Sequence, residues 1–129
     1  MRLRRVDKLN EENNLLHNAI NAFGQSKQKA VAIEEMSELQ KEICKDLRGI
    51  GRRESIIEEF VDVNIMLKQI EIMYDLKSDE LIKVYDEKME RLRKTLNADV
   101  FKEMGISQST MDDLDALFND IFEASNGNK

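Results

Sequence analysis

Residues 56–73 read Ile56-Ile57-Glu58-Glu59-Phe60-Val61-Asp62-Val63-Asn64-Ile65-Met66-Leu67-Lys68-Gln69-Ile70-Glu71-Ile72-Met73. Projected at 100° per residue, one apolar arc holds Ile56, Phe60, Val63 and Leu67, and a second holds Ile57, Val61, Ile65 and Ile72. Glu59 and Asp62 fall in the gap between the arcs, beside Met66 and Ile70. A helix apolar nearly all round is a buried helix. The stretch therefore predicts a central helix that carries two acids inside the protein. Isolated carboxylates in such a place protonate, and several gathered together ask for a compensating cation.

A matching phrase lies upstream, at Glu34-Glu35-Met36-Ser37-Glu38. Glu35 with Glu38, and Glu59 with Asp62, are both three residues apart, so each helix presents two carboxylates on one face. Hard oxygen ligands of this kind suit Mg²⁺ or Mn²⁺. One E-x-x-E alone is an ordinary solvated helix face. Two such pairs on consecutive helices, one of them inside an apolar helix, point to a shared site.

The chain around these phrases has 129 residues, no proline, five glycines and a net charge of −6. Abundant Glu, Lys, Leu and Ile without proline predicts an all-α fold. Seven acids and two lysines fall in residues 99–129, leaving the remainder near neutral. A nucleic-acid partner is disfavoured, since that function needs a basic face. No apolar run approaches the roughly 20 residues of a membrane span, and the start lacks a signal-peptide core. The single cysteine, Cys44, excludes an intramolecular disulfide and suits a reducing compartment, with the cytoplasm as the expected setting.

Working outward, a first helix is expected from about Val6 to Phe23, with Leu9, Leu15, Leu16, Ile20 and Phe23 toward the core. Gly24 ends it and Ser26 is the expected cap of the second. That helix, about 27–48, is expected to bury Ala32, Met36, Leu39, Ile43 and Leu47, with Cys44 a small filler on its inner half. Ser55 and Glu58 have capping-box spacing, which starts the third helix near Ile56 and sets Glu59 in its first turns. Ser78, followed by Asp79 and Glu80, is the expected cap of a fourth helix with Leu81, Tyr85, Met89, Leu92 and Leu96 on one stripe. After a turn at Gly105, Thr110 is expected to cap a last amphipathic helix through Met111, Leu114, Leu117, Phe118, Ile121 and Phe122. The architecture expected is an antiparallel bundle of four core helices, residues 1–98, with an acidic helical extension, 99–129. Two apolar arcs on the third helix exceed what one small bundle can cover, so a homodimer or a dimer of dimers is expected.

His17 is the only histidine, so a His-based zinc site or a Ser-His triad lacks its parts. Neither Gly24 nor Gly49-x-Gly51 follows a strand, so neither forms a phosphate loop.

Taken together, Phe23-Gly24-x-x-x-x-Gln28, Ala32-Ile33-Glu34-Glu35-Met36-Ser37-Glu38-Leu39 and Glu58-Glu59-Phe60-Val61-Asp62-Val63 resemble the MazG-like all-α nucleoside triphosphate pyrophosphohydrolases. That superfamily also includes dimeric dUTPases and phosphoribosyl-ATP pyrophosphohydrolases. The resemblance covers roughly residues 20–97 and rests on E-x-x-E followed, after a spacer, by E-x-x-D. It implies Glu35, Glu38, Glu59 and Asp62 as ligands of Mg²⁺, with Mn²⁺ as the alternative. Glu34 matches the first acid of the family's frequent E-E-x-x-E, and either Glu34 or Glu35 would serve the attacking water. The family's lysine falls at Lys88, whereas the asparagine often found four residues later is Leu92 here. Lys88 and Arg91 are the implied phosphate contacts and Gln28 the candidate on the nucleotide side. The implied reaction is NTP + H₂O → NMP + PPi, as housecleaning of the nucleotide pool. Two other readings stay open: a non-catalytic helical interaction or regulatory protein, and a phosphoribosyl-ATP pyrophosphohydrolase.

Overall fold

The computed structural model describes residues 4–105, 107, 109, 110, 112, 113, 115–117, 119 and 120. Among them the chain is all-helical, with no strand. Four helices follow in order: α1 (Arg5–Phe23), α2 (Gln25–Leu47), α3 (Arg53–Met73) and α4 (Ser78–Glu103). Further helical residues occur at 109, 110, 112, 113, 115–117, 119 and 120. None of the described helices is long and apolar enough to cross a membrane. The chain divides into two compact units, Met1–Lys77 and Ser78–Lys129, so α4 groups with the segment that follows it.

In the first unit α2 packs along α3, and α1 lies against both. The core is small: Leu16 and Ile20 from α1, Ala32 from α2, and Val63 and Met66 from α3. Burying a Leu, Ile or Met side chain contributes about 1.5–3 kcal/mol, and α1 adds an ion pair from Glu12 to Lys68 of α3.

The inward stripe of α2 differs from the expected one. Gln28, Ala32, Glu35, Leu39 and Glu42, alternating by four and three, are all buried or half-buried. Met36, Ile43, Leu47 and Cys44 are exposed. Facing it on α3 run Ile56, Glu59, Val63, Met66, Ile70 and Met73, again by threes and fours and none of them exposed. This is the spacing of a coiled-coil seam, with acids and amides seated among the apolar positions. The correction has a physical reason: α2 carries two apolar stripes, and the one with fewer apolar residues faces α3.

The expectation that Glu59 and Asp62 lie fully inside also changes. Glu59 is half-buried, Asp62 is exposed, Phe60 is 58 % exposed, and Ile57, Val61 and Ile65 of the second arc are exposed as well. Within this unit only α1 and α2 are present to cover α3, which leaves one arc bare. On α1, Leu9, Leu15 and Phe23 are exposed as well.

Helix starts depart from the expected caps. Gly24, at φ 89° and ψ 150°, ends α1 with its N–H donating to the Ile20 carbonyl at 2.8 Å and also serves as the N-cap of α2. An L side chain rarely takes that φ, so glycine turns the chain in one residue. Ser26 consequently lies within the first turn and caps nothing. At the next turn, a Cβ on Gly51 would meet Asp46 Cα at 2.6 Å. That close approach lets extended Arg52 start α3 at Arg53, ahead of the Ser55–Glu58 pair. Glu59 therefore sits deeper in the helix than its first turn.

In the second unit Ser78, the expected cap, is the first residue of α4 itself, with Asp79 and Glu80 in its first turn. Leu81, Tyr85, Met89, Leu92 and Leu96 are exposed. Beyond Gly105 the cap is Ser107, whose Oγ accepts the Thr110 N–H at 3.4 Å and lies 3.0 Å from Thr110 Oγ1. Thr110 is thus inside the helix it was expected to cap. Met111, Leu114, Phe118, Ile121 and Phe122 lie outside the described residues.

Candidate metal centre

The α2–α3 seam brings together acids from both phrases. One carboxylate oxygen from each of Glu35, Glu59 and Asp62 lies within 4.8 Å of the others. They meet because α2 and α3 run antiparallel after a short turn. Steps along one helix are matched by steps back along the other, so Glu35 comes opposite Asp62.

The electrostatics are those of like charges in partly dehydrated surroundings. Burial first, then the charges of Asp62, Glu34 and Glu38, hold the Glu35 carboxyl above the ordinary glutamate value of 4.5. Burial again leads at Glu59, followed by the charges of Glu35, Glu38, Asp62 and Glu42, and its carboxyl is likewise raised. Each charge discourages its neighbours from ionising.

The other expected residues are placed as follows. Glu38 is half-buried outside the close trio, 3.7 Å from Lys41 Nζ, although its charge is felt at both Glu35 and Glu59. Glu34 is exposed beside Glu35. Gln28 is 6 % exposed and turned into the seam, its Nε2 donating to Gln69 Oε1 at 2.7 Å. Lys88 and Arg91 are exposed on α4, in the second unit.

Two residues of this region escaped the reading of the sequence. Glu42 is only 7 % exposed and is ion-paired with Lys45 at 2.7 Å. Its signal was available, since Glu35, Glu38 and Glu42 stand at i, i+3 and i+7. Gln69, also buried, was hidden among apolar neighbours and had no signal of its own.

No family model, curated protein or solved structure matches this chain.

The donor set fits a hard divalent cation. All three groups offer oxygen, as Mg²⁺, Mn²⁺ and Ca²⁺ require. Ligand oxygens around one such ion stand up to about twice the 2.0–2.6 Å metal–oxygen distance apart, and these three oxygens lie within 4.8 Å of one another. Three carboxylates would leave positions on such an ion for water.

Proposed function

We propose that this chain is a divalent-metal-dependent nucleoside triphosphate pyrophosphohydrolase of the MazG-like all-α kind, converting (d)NTP and water to (d)NMP and pyrophosphate. The observation that carries the reading is the convergence of Glu35, Glu59 and Asp62 from the two acidic phrases. Those three and Glu38 would hold Mg²⁺ or Mn²⁺ in this reading. The cation, when bound, supplies neutralisation of phosphate-oxygen charge and makes water more acidic.

The chain's own groups do the rest. Glu35 would take the proton of the attacking water as general base. Glu34, next to it and exposed, is the alternative acceptor. The water oxygen bonds to the α-phosphorus as the bond to the bridging oxygen breaks, and pyrophosphate departs with that electron pair. Lys88 and Arg91 are assigned to the phosphates by the resemblance. A four-helix core and a homodimer or dimer of dimers complete the proposal. The bare arc of α3 and the exposed groove on α2 beside Ile33, Met36 and Ile43 support self-association, because monomers rarely leave wide apolar surface in water. Nucleotide-pool housecleaning in the cytoplasm is the setting that suits it.

The same exposed apolar faces favour a second reading, a non-catalytic helical protein that docks partners. One assay separates these readings. The protein is incubated with a panel of NTPs, dNTPs and phosphoribosyl-ATP in millimolar Mg²⁺, and monophosphate and pyrophosphate are measured. Pyrophosphate from (d)NTPs is the expected result. Turnover confined to phosphoribosyl-ATP moves the chain to histidine synthesis, and a blank throughout favours the docking protein.

A further inference from the structure

Two helical turns along the seam from the carboxylates lies a buried polar pair that the proposed chemistry does not use. Gln28 and Gln69 are 6 % and 4 % exposed, joined by the 2.7 Å bond from Gln28 Nε2 to Gln69 Oε1. Gln69 Nε2 has a weaker contact, 3.6 Å to Met66 Sδ. For stability alone, two apolar side chains would serve as well, because a buried hydrogen bond replaces bonds to water. A buried amide pair does supply alignment: each group needs its one partner, and a slipped helix leaves both without one.

Its position relates that alignment to the acids. Gln28 precedes Glu35 by seven residues, and Gln69 follows Asp62 by seven. Seven residues make about two turns, roughly 10 Å of rise, and return to nearly the same helix face. The alignment that joins the amides is therefore the one that sets Glu35 opposite Asp62, and Glu38 opposite Glu59. The acids cannot enforce it themselves, since they repel. The apolar seam residues attract without direction. At the other end Gly51 lies close to Asp46 in the turn between the helices. The carboxylates lie between that turn and the amide pair.

We propose that Gln28 and Gln69 are positioning residues, a clamp that holds α2 and α3 in the one alignment where Glu35, Glu59 and Asp62 converge. The effect on metal affinity rests on the metal-site reading above; the effect on alignment does not.

The test has two arms, run on the full chain. Spin labels are placed at Gln25→Cys and Glu54→Cys in a Cys44→Ser background, diluted with unlabelled chain, and their separation is read by double electron–electron resonance. Their attachment points stand about 27 Å apart along the seam at 1.5 Å of rise per residue. Mn²⁺ affinity is read in parallel by electron paramagnetic resonance. The variant is Gln28→Leu with Gln69→Leu, which removes both amides and leaves neither unpaired. It should melt no lower than the parent. Its label distance should broaden or gain a component shifted by about 5–10 Å, one or two turns, and its Mn²⁺ affinity should fall about 10–100-fold, as when groups supporting metal ligands are lost. An unchanged single distance overturns the clamp, and so does a changed distance with unchanged Mn²⁺ affinity. Should the parent itself not bind Mn²⁺, the metal reading fails and the distance arm alone decides the clamp. If the double variant loses its helical circular dichroism, both arms are read on Gln28→Asn, which shortens the side chain out of reach of Gln69.

Discussion

Glu59 and Glu90 are the same residue on two helices of one chain, yet their surroundings move them in opposite directions. At Glu90 the guanidinium of Arg93, one turn on, donates from Nε at 3.0 Å and lowers the carboxyl below its ordinary value, against a smaller opposing effect of burial. Arg93 also reaches toward Asp115, 3.7 Å away, so in the second unit a cation is built in among the acids. At Glu59 burial and four carboxylates all push upward. Glu42, close by, already has its Lys45; Glu35, Glu59 and Asp62 have each other. A helix that wanted only a solvated acidic face would be built like the first case. The second gathers three carboxylates within 4.8 Å of one another, the feature on which the proposed cation site rests.

The largest effect that would sharpen this contrast is on turnover. Asp62→Asn keeps the shape of the side chain and removes its charge. Pyrophosphate release from the best (d)NTP should fall by more than about 100-fold, since losing even the partners that support metal ligands costs about 10–100-fold. Activity within a few-fold of wild type would take Asp62 out of the site. Next in size is metal-linked stability. A ligand that binds only the native state adds about 2.7 kcal/mol at 100 times its Kd, so saturating Mg²⁺ should raise the wild-type melt by several degrees and hardly move that of Asp62→Asn. In EDTA the order should reverse, with Asp62→Asn as stable as wild type or more so.

Smaller and of opposite sign are the two glutamates when neutralised in EDTA. Glu59→Gln should raise the melting temperature, by relieving repulsion, whereas Glu90→Gln should lower it, by removing the Arg93 partner. Both shifts should be modest, as is usual for charges with access to water. Equal signs would erase the comparison. Smallest is the pH dependence. A carboxyl raised on folding, as at Glu35 and Glu59, gives stability that is complete below its unfolded value near 4.5 and is lost as pH climbs through the folded value. A lowered one, as at Glu90, gives stability present above 4.5 and lost as pH falls through the folded value. Melts in EDTA should therefore show Glu59→Gln losing less stability than wild type as pH rises past 4.5, and Glu90→Gln losing less on acidification. Parallel pH profiles for all three proteins would contradict both assignments.

Much of the fold was legible because helix periodicity is local. Met73 ends α3 where the apolar pattern stops, a break separates it from α4 as expected, and the three acids of the trio were named by their spacing. What periodicity leaves undetermined is which neighbour a stripe meets. Helix α2 has an apolar stripe through Met36, Ile43 and Leu47 and a half-polar one through Gln28, Glu35 and Glu42. The second faces α3, where Gln28 finds Gln69, a pairing between two helices that no single-helix projection contains, while Glu42 pairs with Lys45 on its own helix. The cap errors share one cause. Ser26, Ser55 and Thr110 have the right chemistry, but Gly24, Gly51 and Ser107 settle the turns a few residues earlier, and a turn's backbone geometry decides where a helix starts.

The central claim, that Glu35, Glu59 and Asp62 are one divalent-cation site, is tested most directly by titrating Mn²⁺ into EDTA-treated, desalted protein in a calorimeter, with Glu59→Gln beside the wild type. Saturable binding by the wild type, weakened at least about 10-fold in Glu59→Gln, is the result expected. No saturable binding by the wild type up to millimolar Mn²⁺, or equal binding by both proteins, would contradict it.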